Sequence, residues 1–148
     1  MKIVLGSDHG GVDYKSQLKD FLIESGYEVI DVGTNSKDPA SWSEFGLKAA
    51  MCIKNKQADA GIVFCKSGEG VCIAANKVKG VYCGIPYNDE TAIKCKTHDG
   101  CNMIAFGCEY MSIEDVKRRS ILFLNSEFEG GRHLERLNFL KNFENSSN

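Results

Sequence analysis

Short apolar runs and stretches of helical periodicity alternate along this chain, and the alternation leaves few folds open. Lys2 to Gly6, Tyr27 to Val32, Ala60 to Phe64, Val81 to Ile85 and Met103 to Phe106 are too short for helices and read as strands. Between them, apolar residues recur at helical spacing. Tyr14, Leu18, Phe21 and Leu22 repeat this way before a stop at Gly26. Phe45 to Ile53, Gly70 to Asn76 and Glu90 to Lys96 read as further helices, with Ala49 and Ala50 as close-packing positions in the first. Gly33 to Ser41 reads as a loop. Ser112, followed three residues later by Asp115, marks a helix start with Val116, Ile121 and Leu124 turned inward. A Gly130-Gly131 break precedes a last amphipathic helix through Phe143, striped by Leu137, Leu140 and Phe143. Glu144 to Asn148 reads as a frayed polar tail.

Strands that alternate with helices pair in parallel, because each crossover needs a compact return and a helix supplies it. The 148 residues suit one domain, and no linker or repeat divides residues 1–148. The expected class is α/β: a Rossmann-like three-layer αβα arrangement with a five-stranded parallel sheet. Ligands of such sheets bind beyond the carboxyl ends of the strands. Asp8-His9, Cys65 to Gly70 and the Gly107 region all fall there.

A net charge of -2 gives no reason to expect nucleic acid or an anionic membrane as partner. No apolar window reaches transmembrane length, and Met1 to Gly6 is too short an apolar run for a signal peptide, so the expected compartment is cytoplasmic. The seven cysteines include no Cys-x-x-Cys pair, which argues against a zinc site or a disulfide framework. Cys72, Cys83 and Cys101 sit in apolar surroundings, as small core residues do.

Cys65 is the candidate for chemistry. It ends the third apolar run and enters Lys66-Ser67-Gly68-Glu69-Gly70-Val71, which leads into a helix. A helix start leaves N–H groups unpaired, so a thiol beside it faces donors suited to an anion. Such a thiol can serve as nucleophile or as a proton-abstracting base. A cysteine phosphatase loop would need Arg six residues after Cys65, where Val71 stands. Neither the Walker pattern nor Gly-x-Gly-x-x-Gly is present at the glycine clusters. A redox role for Cys65 lacks a resolving partner at redox spacing. His9, between Asp8 and two glycines, is placed either to touch a ligand or simply to sit in a capped turn. His98 lies in the loop before the fifth strand. Arg132 and Arg136, four apart, suit a phosphate or form a solvated face.

Taken in order, Ser7-Asp8-His9-Gly10-Gly11, Cys65-x-Ser-Gly-x-Gly, Ile73-Ala74-Ala75-Asn76-Lys77 and Gly130-Gly131-Arg132-His133 with Arg136 resemble the ribose-5-phosphate isomerase B family. The wider group includes galactose-6-phosphate isomerase subunits, and the complete Gly-Gly-Arg-His ending resembles the ribose enzymes more. The resemblance implies an aldose–ketose isomerase of the pentose phosphate pathway, acting on D-ribose 5-phosphate and D-ribulose 5-phosphate with no metal and no cofactor. It implies Cys65 as the base that moves a proton between C2 and C1, with Ser67, Gly68, Glu69, Gly70 and Val71 around the enediolate. It implies His98 as the ring-opening acid with Asp99 beside it, Asp8 on sugar hydroxyls, and His9, Arg132 and Arg136 on phosphate. It further implies a homodimer or dimer of dimers, with the C-terminal helix (about 132–143) packing on a partner and His98 serving the partner's thiol. Alternatives are another sugar phosphate, such as allose 6-phosphate, or a catalytically weak sugar-phosphate-binding protein.

The chain departs from the family pattern at four places. Lys66 replaces a glycine, Asp99 an asparagine, and Glu109 an arginine; the segment around Trp42 reads Ser41-Trp42-Ser43-Glu44 where an Asp-Tyr-Pro type is usual. Two added carboxylates near a dianion weaken its binding unless paired, and Lys66 is the expected partner for one of them.

Overall fold

The structure is a computed structural model, and residues 1–146 are described. Five strands, β1 (Lys2–Ser7), β2 (Glu28–Asp31), β3 (Ala60–Cys65), β4 (Cys83–Gly84) and β5 (Met103–Gly107), form one parallel sheet in the order β2-β1-β3-β5-β4. The helices are α1 (Val12–Glu24), α2 (Trp42–Lys54), α3 (Glu69–Asn76), α4 (Asp89–Thr97), α5 (Ile113–Leu124) and α6 (Arg132–Asn145). The expected three-layer α/β architecture is present.

Strand order and chain handedness together decide which helix covers which face. The steps from β2 to β3 and from β3 to β4 run one way across the sheet; the steps from β1 to β2 and from β4 to β5 run the other way. Right-handed crossovers therefore put α2 and α3 on one face and α1 and α4 on the opposite face, where α5 joins them. The strand side chains follow the pleat. Val4, Val63, Met103 and Ala105 pack toward α2 and α3, with Ala49, Ala50, Val71 and Ala75. Ile3, Leu5, Ile62, Phe64, Ile104 and Phe106 pack toward α1 and α5, with Leu18, Leu22, Val116 and Phe123. Cys65 points to the α2–α3 side. The connections after β1 and β3 leave in opposite directions, so a crevice opens between their carboxyl ends.

Local deviations from the sequence reading have identifiable causes. β4 is two residues long, shorter than Val81 to Ile85, because side chains take over the ladder's work at this edge. Asn76 Oδ1 accepts the Cys83 N–H at 2.8 Å, and Asn102 Oδ1 accepts the Tyr82 N–H at 2.9 Å. The tail is less frayed than expected. Glu144 and Asn145 extend α6, and Glu144 accepts hydrogen bonds from the Tyr82 hydroxyl and, at 3.3 Å, the Gly80 N–H. Burial and this carboxylate push the Tyr82 hydroxyl's pKa up. Ser147 and Asn148 lie outside the described residues. Lys15 is buried on the α1 stripe with Leu18 and Leu22. Its Nζ meets both Asp31 oxygens at 2.8 Å and Asn35 Oδ1 at 2.6 Å, pinning the loop after β2. No helix among the described residues is long and apolar enough to cross a membrane.

Candidate active site

Cys65 closes β3 in a fully buried strand, and the chain then turns sharply into α3. Gly68 makes that turn with φ of 85°. A Cβ there would lie 2.9 Å from the Gly107 nitrogen, so the position admits only glycine. Gly107 is constrained in return, because a Cβ on it would run into the Ser67 backbone. The loop is thus wedged against the end of β5. Backbone bonds from Cys108 N–H to the Cys65 carbonyl and from Glu109 N–H to the Lys66 carbonyl, both 3.0 Å, fasten it.

This wedge fixes the donors at the head of α3. The Gly68 N–H donates to Cys65 Sγ at 3.1 Å, and the Glu69 N–H donates to Ser67 Oγ at 3.2 Å. Among the described residues, the Gly70 and Val71 N–H groups have no acceptor, as expected for a helix's first turn. Cys65 is not walled off by packing. Its side chain lines a cavity of about 230 Å³ with Asp8, His9, Trp42, Ser67 and Gly70. The Trp42 indole lies against Gly70, where a Cβ would come within 2.6 Å of the ring, and so forms one wall. The Lys66 stem covers Gly10 in the same way. Burial, and then the neighbouring Cys65 and Asp8, push the nearby Cys108 thiol's pKa up to about 12, which leaves it protonated at neutral pH.

The crevice between β1 and β3 receives Asp8 and His9. Asp8 is buried, and its Oδ1 accepts the Gly10 N–H at 2.9 Å, capping a single turn of 3₁₀ helix over His9–Gly11. Its capping role therefore coexists with its place in the cavity wall. His9 Nδ1 sits 3.1 Å from the Ala40 N–H and 3.2 Å from the Ala40 carbonyl. Nδ1 accepts from the first or donates to the second according to the tautomer, so Ala40 holds the ring either way.

His98, Asp99 and Arg136 gather elsewhere. They line a second cavity of about 220 Å³ with His133, Leu137 and Leu140. His98 caps the end of α4 and stacks on His133 at 4.3 Å between ring centres. Glu129 joins the pair, its Oε1 3.8 Å from His98 Nε2 and 3.6 Å from His133 Nε2. Burial lowers His133's pKa below its usual 6.5, and His98 and Arg132 lower it further. Arg132 opens α6 one turn before Arg136, and both are exposed. The two cavities have no lining residue in common. Glu129, His133 and Trp42 escaped the sequence reading as site residues. Of these, only Glu129 and His133 carry a local signal, a four-residue spacing between an acid and a histidine. Glu129, His98 and His133 are also close enough to be tested as metal ligands, but the rings stack nearly parallel at 12°, so their lone pairs do not converge on one point. Among the described ion pairs, Lys66 meets neither Glu109 nor Asp99; Glu109 instead stands exposed, tied to Lys66 through the backbone alone.

Known proteins share this sequence pattern and fold. A family model described as Ribose/Galactose Isomerase matches residues 3–140. Ribose-5-phosphate isomerase B of Escherichia coli K12 is 33% identical over 99% of this chain and 99% of its own. A structure of Clostridium thermocellum ribose-5-phosphate isomerase B superposes with a TM-score of 0.96 at 39% identity, covering 97% of each chain. One from Mycoplasma genitalium, with bound ribulose-5-phosphate, gives 0.94 at 32% identity over 99% of this chain and 97% of that one. A thiol held at the head of a helix, a second histidine-rich cavity, and agreement from end to end in sequence and fold lead to one assignment: this chain belongs to the ribose/galactose isomerase family of sugar-phosphate isomerases.

Proposed function

We propose that the chain interconverts D-ribose 5-phosphate and D-ribulose 5-phosphate by proton transfer through an enediolate. The supporting observation is Cys65 Sγ in an open cavity beside two unpaired N–H groups. A proton on carbon next to a carbonyl is removed only if fixed donors meet the charge that develops on oxygen. Cys65 Sγ takes the proton from C2 of the open-chain aldose, a proton passes from O2 to O1 of the enediolate, and Sγ returns its proton to C1. The Gly70 and Val71 N–H groups, with Ser67, face the enediolate oxygens, and Asp8 holds sugar hydroxyls. The resemblance to ribose-5-phosphate isomerases, one of them with bound ribulose-5-phosphate, favours the five-carbon substrate.

The aldose is mostly cyclic, and an acid must open the ring before C2 can lose its proton. His98 is the candidate, but it lines a different cavity from Cys65. In the proposed enzyme two copies of the chain face each other, and each supplies His98, Arg132 and Arg136 to the other's Cys65 cavity. Exposed apolar side chains on α6, Phe139, Leu140 and Phe143, support such a contact. The test is deuterium exchange from solvent into C1 of ribulose 5-phosphate. Wild type should exchange and Cys65→Ala should not; exchange that survives in the variant overturns the role of Cys65.

A further inference from the structure

Four thiols cluster at β4, Cys83 within it and Cys72, Cys95 and Cys101 beside it, and the proposed isomerase chemistry uses none of them. We propose that two of these, Cys95 and Cys101, form a hydroperoxide-responsive pair whose disulfide clamps the loop that carries His98.

The backbone already holds the two residues at bridging range. The Cys101 N–H donates to the Cys95 carbonyl at 2.9 Å, so their Cα atoms are close enough to span a disulfide. Their side chains lie on the same side of the turn. A Cβ built on Gly84 would lie 3.5 Å from Cys101 Sγ and 3.6 Å from Cys95 Cβ. The residues bracketed by the pair include both His98 and Asp99. Cys95 is half-buried and, with Cys83 and Cys101, lines a cavity of about 370 Å³ through which a small oxidant can reach it.

The two sulfurs are unequal, which assigns their roles. The neighbouring Cys101 side chain lowers the Cys95 thiol's pKa against the opposing effects of burial and Asp99, although Cys95 Sγ also donates to the Ala92 carbonyl at 3.3 Å. The same contact, with burial, drives Cys101 far upward. Cys95, which is also the less buried of the two, is therefore the sulfur that attacks the oxidant, and Cys101 the one that resolves it. The Cys95 thiolate attacks a hydroperoxide oxygen, the O–O bond breaks, and the leaving alkoxide or hydroxide takes up a proton. This leaves a sulfenic acid on Cys95. Cys101 sulfur then attacks Cys95 sulfur, the S–O bond breaks, and the hydroxyl departs as water with the Cys101 proton. Two thiols are oxidised by two electrons while one hydroperoxide is reduced to an alcohol, or to water, and a second water.

Closing the bond draws the two sulfurs together to about 2 Å. His98 lies three residues past Cys95 and stacks on His133, so the contraction pulls it off its partner ring. The chemical step stands on its own; its effect on turnover rests on the isomerase reading.

The full chain is exposed to limiting hydrogen peroxide, free thiols are alkylated, and tryptic peptides are mapped. Cleavage after Lys96 separates the two cysteines, so a bridge links two peptides. A Cys95–Cys101 link is expected, with Cys65 still alkylated. Isomerase activity should fall roughly tenfold to a hundredfold and return with reductant, the loss expected from displacing a catalytic group by about 1 Å. Cys101→Ser should keep basal activity and lose the reversible inactivation; Cys95→Ser, tested in parallel, should behave the same way if the first variant folds poorly. Both cysteines recovered alkylated after inactivation, or a Cys72–Cys83 link in their place, overturns the proposal. A link without an activity change overturns the clamp. If no isomerase activity exists at all, the peptide link still decides the thiol pair.

Discussion

In the Cys65 cradle the donors are main-chain N–H groups, and glycines that admit no Cβ hold them in place. At the His98 cluster, three titratable side chains, His98, His133 and Glu129, meet at 3.6 to 3.8 Å on the ends of two helices and a loop. Those N–H donors have no side-chain rotamer to lose. The cluster depends on charge states and, in the proposed enzyme, on a second copy that completes it. One half of the site is therefore stiff; the other is adjustable and, with burial lowering the His133 pKa, sensitive to pH.

Removing the sulfur breaks the stiff half outright. Cys65→Ala should lower kcat by about a thousandfold in both directions, the range of a lost general base, with an unchanged melting temperature. His98→Asn should be direction-dependent. Conversion of ribose 5-phosphate should fall roughly a hundredfold, because ring opening loses its acid. Solvent exchange at C1 of ribulose 5-phosphate, which has no ring to open, should persist. Equal losses in both measurements would make His98 part of the proton transfer and erase the contrast.

Acid should find the adjustable half first. His133 has its pKa held below 6.5 in the fold, so the unfolded chain binds the proton more readily. Its contribution to stability is complete above the unfolded value, near 6.5, and is lost as pH falls through the folded value. The melting temperature should drop more between pH 7.5 and 5.5 in wild type than in His133→Asn; parallel curves would contradict this. The smallest effect concerns Glu109, which is exposed and lines neither cavity. Glu109→Arg should lower KM for ribose 5-phosphate by roughly two- to fivefold, the scale of one exposed charge, and no change removes Glu109 from the phosphate's surroundings.

What the sequence made legible follows the same division. The strand, glycine loop and helix around Cys65 are contiguous, so their periodicity and turn residues foretold the cradle. The parallel sheet followed from the alternation of strands and helices. Lys15 was also within reach, since it shares a helical stripe with Leu18 and Leu22, but a lysine on that stripe reads as an error until Asp31 is seen beside it. The stacking of His98 on His133 brings together residues 35 positions apart, counting 133 minus 98, and no local pattern announces it. β4 was overextended for a related reason: Asn76 and Asn102 satisfy its edge from outside the strand.

The division of the site between two copies is the claim that everything else serves, and mixed subunits test it directly. Cys65→Ala and His98→Asn proteins are each inactive toward ribose 5-phosphate or nearly so. Unfolded together and refolded as a mixture, half of the pairs carry one intact site, so about a quarter of wild-type activity should return in a symmetric dimer. A mixture that stays as inactive as its components would mean that Cys65 and His98 do not meet across an interface.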